Sequence, residues 1–226
     1  ALKSAEHRAT VTNELVKLLG SNKEAVRQRA SEALTDMAAD ESAAHHTKKS
    51  VSTGGVAPLV NLLKDGLKDG RVEAQEYALR SLLSVTDAAG KEMLVGAGCI
   101  KPLIQSLLGG KLSAIAQEHC ATVLSGLAPI GENANSIKEH KGIDPLVTLL
   151  STGNVDAKAH AAATLAQLAL RAEAALDIAK AGAVSAFVQW LVNPTLGPPE
   201  VAARALSEIA LDNTDTQSQI AEEGAI

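Results

Sequence analysis

The sequence predicts an all-α fold, an α-solenoid in which stacked copies of one helical repeat share a continuous core. Three observations predict it: one motif recurs along the 226 residues, its apolar residues follow helical spacing, and aromatic residues make up only 1% of the chain. Alanine, leucine, valine and isoleucine must therefore supply the core, and alanine and leucine are the strongest helix formers among them. Stacked repeats of this length are typical of solenoids, since one repeat cannot bury its apolar face alone.

Two sets of apolar anchors carry the repeat. The first large residue of a leucine-rich segment recurs every 41–44 positions, at Leu15, Leu59, Leu103, Leu146 and Phe187. A second, alanine-rich segment interleaves with it, and its central leucines recur every 41–48 positions, at Leu34, Leu82, Leu124, Leu165 and Leu206. Two independent anchors with nearly the same period are hard to obtain by chance.

Each repeat is predicted to contain a short helix, a glycine turn, a medium helix, a polar loop and a long helix. Pro58, Pro102 and Pro145 lie just inside the medium helices, where proline has no intrahelical hydrogen bond to lose. Glycines before those starts mark the ends of the short helices. The second repeat has four extra residues within 64–71, which we expect to lie in a loop, and further extra residues fall in 41–52.

The predicted domain is a single solenoid over residues 1–226, and its last segment matches the start of another copy. We expect the chain to be a fragment of a longer array. The repeat boundaries are predicted at 12–41, 42–89, 90–131, 132–171 and 172–213, with a partial sixth repeat at 214–226.

These segments resemble the armadillo repeat. The resemblance rests on the pattern Gly-x-Ile/Val-x-Pro-Leu-Val-x-Leu-Leu, as in GGVAPLVNLL at 54–63 and KGIDPLVTLL at 141–150. In each copy the alanine-rich helix follows this pattern. The resemblance covers nearly the whole chain and implies a right-handed solenoid of about five repeats plus the start of a sixth. It also implies that the long helices line a concave groove that binds extended segments of partner proteins.

The chain departs from the import-adaptor members of that family, which carry tryptophan and asparagine at fixed places on the long helices. Here the tryptophan place holds Glu32, Arg80, Thr122, Ala163 and Arg204. The asparagine place holds Asp36, Ser84, Gly126, Gln167 and Glu208. Since the amide ladder is absent from these places, a receptor for nuclear localisation signals is not expected.

The candidate partner-binding residues are the polar side chains predicted on the groove face. Their charges are mixed, so neither a strongly acidic nor a strongly basic ligand is indicated. Tyr77, Arg80 and His119 form the best anchor cluster, because tyrosine and arginine are typical hot-spot residues. The full set is Arg29, Glu32, Asp36, Tyr77, Arg80, Ser84, His119, Thr122, His160, Gln167, Arg204 and Glu208.

Other chemistry has little support in the sequence. No nucleotide-binding, hydrolase or metalloprotease motif is found, so we expect no catalytic residue and no cofactor. His45-His46, and the pair His119 and His160, are weak metal candidates, and no metal site is expected. The cysteines Cys99 and Cys120 are predicted to be small buried residues. Phe187 is expected in the core, and Trp190 in the core or partly exposed.

The partner is therefore expected to be a protein. A net charge of −5 and a pI near 5.7 argue against nucleic acid, no apolar run is long enough for a membrane span, and two cysteines favour a reducing cytoplasmic or nuclear interior. The leading hypothesis is a non-catalytic interaction module that binds a partner segment along the groove. The alternative is a scaffold subunit of a larger assembly, held by its loops and ends.

Overall fold

A computed structural model describes residues 2–40, 47, 49–85, 88–211 and 213–224. In this described part the chain forms 14 α-helices, one π-helical turn and no strand. It divides into two compact units, Ala1–Ala116 and Gln117–Ile226. The all-α prediction is confirmed.

The first unit contains the helices α1 to α6 and the start of α7. They are α1 (Leu2–Leu18), α2 (Glu24–Ala39), the π-helical turn (Val51–Gly55), α3 (Val56–Lys68), α4 (Val72–Leu82), α5 (Ala88–Gly96) and α6 (Ile100–Leu108). The helix α7 (Ala114–Leu127) runs across the division. The second unit continues with α8 (Asn133–Glu139), α9 (Ile143–Thr152), α10 (Val155–Ala169), α11 (Ala172–Lys180), α12 (Ala183–Val192), α13 (Pro199–Ala210) and α14 (Thr214–Glu222).

The predicted order of short, medium and long helix appears in α5–α7, α8–α10 and α11–α13. Each of the three prolines predicted at helix starts is the third residue of its medium helix. The last described helix, α14, occupies the short-helix position. The residues at 41–46, which include His45 and His46, and those at 225–226 lie outside the described residues.

In four copies the turn after the short helix contains one residue with a left-handed backbone, whereas the π-helical turn of the second repeat continues into α3 with Gly55 in the right-handed region. Gly98, Gly182 and Gly224 supply the left-handed residue in three copies, with φ of 68°, 89° and 82°. In the fourth repeat Lys141 takes this conformation instead (φ 63°), while Gly142 stays in the right-handed region. The predicted glycine therefore lies in the turn of that copy, but the preceding lysine carries the left-handed conformation.

The four extra residues of the second repeat do not lie in a loop, so that prediction is wrong. They lengthen α3 to 13 residues, against 9 in α6 and 10 in α9. Four residues are close to one helical turn, so the added turn keeps the apolar stripe in phase. Gly66 lies buried in this turn, where Gln75 approaches closely and donates a hydrogen bond from Nε2 to its carbonyl at 3.1 Å.

The added turn also carries charged groups that join the first two repeats. Arg27 at the start of α2 donates to Asp65 at 2.5 Å. Arg71 pairs with both Glu24 and Asp69. These contacts explain why the extra turn is ordered against α2 instead of projecting into solvent.

The core follows the repeat anchors. Leu59, Leu103, Leu146 and Phe187 are fully buried. Leu15 is half-buried, and Leu19, the residue after the end of α1, is buried in its place. All five central leucines of the long helices are 5% exposed or less. Cys99 and Cys120 are buried as free thiols, and burial raises the pKa of the Cys99 thiol to about 12.

The two large aromatic residues pack together in the second unit. Phe187 and Trp190 meet edge to face with ring centroids 5.6 Å apart, and Trp190 is 2% exposed. Gly197, in the loop after α12, lies against the indole so closely that an added Cβ would stand 2.3 Å from Trp190 Cδ2. Trp190 is therefore a core residue, and Gly197 packs against its indole ring.

We expect Gly197→Ala to destabilise the fold by about 1–3 kcal/mol, because the methyl group overlaps the indole and forces a loop shift. Thermal unfolding followed by the fluorescence of the single tryptophan measures this directly. The control is Gly96→Ala, where no atom lies within 4 Å of an added Cβ, and it should leave the melting temperature unchanged or slightly raised. Equal melting temperatures for the two variants would contradict the predicted clash.

Candidate functional site

The candidate site is the solvent-facing side of the long helices α2, α4, α7, α10 and α13. Within the first unit α2 packs against α4, and within the second α10 packs against α13. Small residues permit close helix contact: the buried faces include Ala161 and Ala162 on α10, and Ala202 and Ala205 on α13. The opposite faces carry the predicted groove residues, and the two units are described in turn.

A buried hydroxyl cluster fixes α2 against α4. Ser31 Oγ donates to the Tyr77 carbonyl at 3.0 Å and lies 2.9 Å from Ser81 Oγ. Thr35 Oγ1 donates to the Ser31 carbonyl at 2.9 Å and lies 3.0 Å from Ser81 Oγ. All three side chains are buried, and such polar groups remain stable only when hydrogen-bonded. The cluster was not predicted; the only signal for it was serine and threonine on the apolar stripe.

This packing brings together three predicted site residues of the first unit. Arg29 Nη1 donates to Glu32 Oε2 at 2.8 Å, and the Tyr77 hydroxyl donates to the other carboxylate oxygen of Glu32 at 3.3 Å. Glu32 is the main cause that raises the pKa of Tyr77, burial and Glu73 raise it further, and Arg29 lowers it. Arg29 is 81% exposed, so its ion pair is a surface pair that contributes little to stability.

The other predicted site residues of this unit make fewer hydrogen bonds and ion pairs. Ser84 is half-buried and donates to the Ser81 carbonyl at 2.7 Å, which turns its hydroxyl proton inward. Asp36 and Arg80 are exposed. In the described part of the chain neither of these two charged groups has a hydrogen bond or ion pair, so both can contact a partner without first breaking a bond.

In the second unit a chain of side-chain hydrogen bonds links α7 to α10. His160 Nδ1 lies 3.0 Å from Ser125 Oγ. Ser125 donates to the Thr122 carbonyl at 2.9 Å, and Thr122 donates to the Glu118 carbonyl at 2.8 Å. Because the serine proton is already engaged, His160 Nδ1 is assigned as the donor to Ser125. Neither hydroxyl proton is available to a ligand.

The remaining site residues present polar groups of both signs. Gln167 and Glu208 are half-buried at equivalent positions of α10 and α13, and Arg204 is exposed one turn before Glu208. His119 is half-buried on α7. Of the predicted anchor cluster, Tyr77 and Arg80 belong to the first unit and His119 to the second.

Two further classes of site have no support in the described residues. There, no group of three histidine, cysteine or carboxylate side chains is placed to hold a metal ion. No single described helix has the length and hydropathy to cross a membrane. Among the described helices, α11 and α12 are long and apolar enough only when taken together, and they meet at a bend of 77°.

Comparison with known proteins bears on the fold. No family model matches the sequence. Protein CELLULOSE SYNTHASE INTERACTIVE 3 of Arabidopsis thaliana is 25% identical over 179 residues, which is 76% of this chain. The match spans only 8% of the length of that curated relative.

Solved structures match over most of the chain. A computationally designed armadillo repeat protein for modular peptide recognition is 23% identical, with a TM-score of 0.73 over 95% of this chain and 88% of the other. A designed armadillo repeat protein in complex with the peptide (KR)4 is also 23% identical, with a TM-score of 0.69 over 94% and 87% of the two chains. The chain has the armadillo-repeat solenoid fold.

We expect the single tyrosine to ionise above its ordinary pKa of 10.0, and Glu32→Gln to lower its midpoint toward that value. The substitution removes the charge that most disfavours the phenolate. Absorbance of the phenolate during an alkaline titration reports Tyr77 alone, because the chain has no other tyrosine.

The matched control is Glu92→Gln, an exposed carboxylate on α5 that should leave the midpoint unchanged. The raised pKa also has a consequence for stability. Between the unfolded and the folded pKa, Tyr77 keeps its phenol proton in the folded chain and loses it in the unfolded chain. Its contribution to the free energy of unfolding is therefore complete below pH 10 and is lost as the pH rises through the folded pKa. A midpoint at 10.0 in the parent protein would contradict the Glu32–Tyr77 contact.

Proposed function

We propose that this armadillo-repeat protein is a non-catalytic protein–protein interaction module that binds a partner segment along its long-helix face. The observation that carries the proposal is the contrast between the two sides of these helices. One side is closed by apolar and hydroxyl packing, while the other presents Arg80, Asp36 and Arg204 with no partner in the described part of the chain. Such a surface is rigid and still has free polar groups.

A rigid helical face suits recognition of an extended segment, because little conformational entropy is lost on the receptor side. Tyr77 offers a half-buried aromatic ring whose hydroxyl is already oriented by Glu32. Exposed Arg80 follows it by one turn of α4. Tyrosine and arginine are both enriched among the few residues that dominate binding energy at protein interfaces.

The partner segment is proposed to be of mixed or neutral charge. The designed neighbour bound to (KR)4 supports a peptide ligand for this fold, but the predicted groove residues of this chain combine three arginines with three carboxylates. A repeating basic peptide would meet like charges at the arginines, and like charges across an interface are unfavourable. We therefore do not assign the neighbour's ligand to this chain.

A second candidate is a scaffold subunit held by the edges of its repeats. Exposed leucines favour it: Leu170 and Leu211, which directly follow the ends of α10 and α13, are 59% and 67% exposed. The plant relative also embeds its matching segment in a far longer chain. Within either role, buried free cysteines are compatible with the proposed cytoplasmic or nuclear setting.

Selection from a displayed random-peptide library tests the proposal. We expect a consensus sequence with the parent protein, and at least about tenfold weaker binding of the selected peptide to Tyr77→Ala/Arg80→Glu in the first unit or Gln167→Ala/Arg204→Glu in the second. The control Lys101→Glu changes an exposed charge on the medium helix α6 and should keep the affinity.

A circular-dichroism melt of each variant ensures that lost binding is not lost folding. Selected peptides that bind all variants equally would show that the long-helix face is not the binding surface. The edge-held scaffold would then be the better account.

A further inference from the structure

The imidazole ring of His160 has one nitrogen bonded to the neighbouring long helix and one nitrogen open to solvent. The residue is half-buried on α10, five positions before the central leucine Leu165, and its Nδ1 lies 3.0 Å from Ser125 Oγ on α7. Among the described residues, only Glu24 Oε1 and Arg27 Nε are buried side-chain polar atoms without a hydrogen-bond partner. His160 Nε2 also has no partner in the described part of the chain, so it must reach solvent.

The hydrogen bonds around Ser125 determine which ring nitrogen carries the proton. Ser125 Oγ donates its one proton to the Thr122 carbonyl at 2.9 Å, so it has none to give to His160. If His160 Nδ1 were the acceptor, the serine would have to release that carbonyl and one hydrogen bond would be lost. Both bonds are kept only with the proton on Nδ1, and Nε2 of the neutral ring is then an acceptor that cannot donate.

The first unit uses the same repeat position in the same way. Tyr77 lies five positions before its central leucine, Leu82. Its hydroxyl donates its only proton to Glu32 Oε1 on α2 at 3.3 Å, which leaves the phenol oxygen as an acceptor. In each unit, therefore, the side chain at this position gives its donor to the preceding long helix and keeps an acceptor.

An acceptor fixed in this way discriminates between the groups that a partner can present. An N–H or O–H group opposite Nε2 completes a hydrogen bond. A carboxylate or carbonyl oxygen in the same place leaves two acceptors facing each other, and both have lost their water. Leaving desolvated polar groups unpaired is more unfavourable than simply lacking the contact.

We propose that His160 is a specificity-determining residue of the long-helix face, whose Nε2 accepts a hydrogen bond from an N–H or O–H group of the partner segment. This inference rests on the proposed function and states what a bound segment must present at one place. The donor is a main-chain N–H or a donor side chain, and the experiment separates these two sources.

The first measurement needs no partner. Long-range proton–nitrogen correlation spectra of the 226-residue chain, labelled with nitrogen-15, distinguish protonated from bare ring nitrogens, and the signals missing from His160→Gln identify this ring. At pH 8.0, where histidine side chains are ordinarily neutral, we expect the proton on Nδ1. In Ser125→Ala, which removes the acceptor for that proton, the two tautomers should mix. A proton on Nε2 in the parent protein would overturn the proposal.

The second measurement uses a peptide selected on the parent protein from the displayed library. Each donor side chain is replaced by alanine and each main-chain N–H by an ester oxygen, one at a time, and Kd is measured with the parent and with His160→Leu. We expect one replacement to weaken binding to the parent about fivefold or more and to leave binding to His160→Leu unchanged, since both changes remove the same hydrogen bond. The replaced position identifies the donor.

Two further variants separate recognition from structure. His160→Gln should bind more tightly than His160→Leu, because its side-chain carbonyl can accept in place of Nε2. The matched control His140→Leu changes a half-buried histidine just after α8 and should keep the parent affinity. A circular-dichroism melt verifies that each variant is folded.

The outcomes distinguish this inference from the proposed function. If His160→Leu binds every peptide as the parent does, or loses affinity that no peptide replacement shares, the His160 contact is wrong. The proposed function still stands in that case if Tyr77→Ala/Arg80→Glu loses binding. If no peptide is selected, or if all variants bind alike, the proposed function fails and the inference falls with it.

Discussion

Close packing of neighbouring long helices, α2 against α4 in the first unit and α10 against α13 in the second, is the constraint on which the rest of each unit depends. Alanine and serine on the buried faces let the helix backbones approach, and the central leucines fill the remaining space at 5% exposure or less. Once this contact is set, the outward side chains of neighbouring repeats have fixed neighbours. Tyr77 meets Glu32, and His160 meets Ser125, across 45 and 35 residues of sequence. The polar face is therefore a product of the core.

The fold could be predicted because the same pattern of apolar residues recurs in every repeat. A leucine or alanine at a given repeat position has the same surroundings in each copy, so five weak signals combine into one strong signal. The exceptions occur where a single copy differs from the others. The extra turn of α3 looked like a loop because glycines and charges fill 64–71, yet Gly66 is there to admit Gln75, and Asp65 and Asp69 are ion-paired.

The candidate site was less accessible to sequence analysis. The residues on the long-helix face followed from helical spacing, but which of them have partners did not, since those contacts join different repeats with different side chains. Glu32 and Arg29 were both predicted on the groove face, but the ion pair between them was not. The Ser31–Thr35–Ser81 cluster has no counterpart in the repeat pattern.

The long-helix face presents a tyrosine whose hydroxyl is held by Glu32, together with isolated charges of both signs. Such a surface suits an extended segment that makes several weak contacts.

Site-specific photo-cross-linking is the most direct measurement of the central claim that partners bind to the long-helix face. A library-selected peptide carrying a photoreactive phenylalanine analogue at each position in turn is irradiated with the protein, and the joined residues are located by mass spectrometry. The account predicts cross-links on α4, α10 and α13, at or next to Tyr77, Arg80, Gln167 and Arg204. Cross-links confined to the short or medium helices would contradict it.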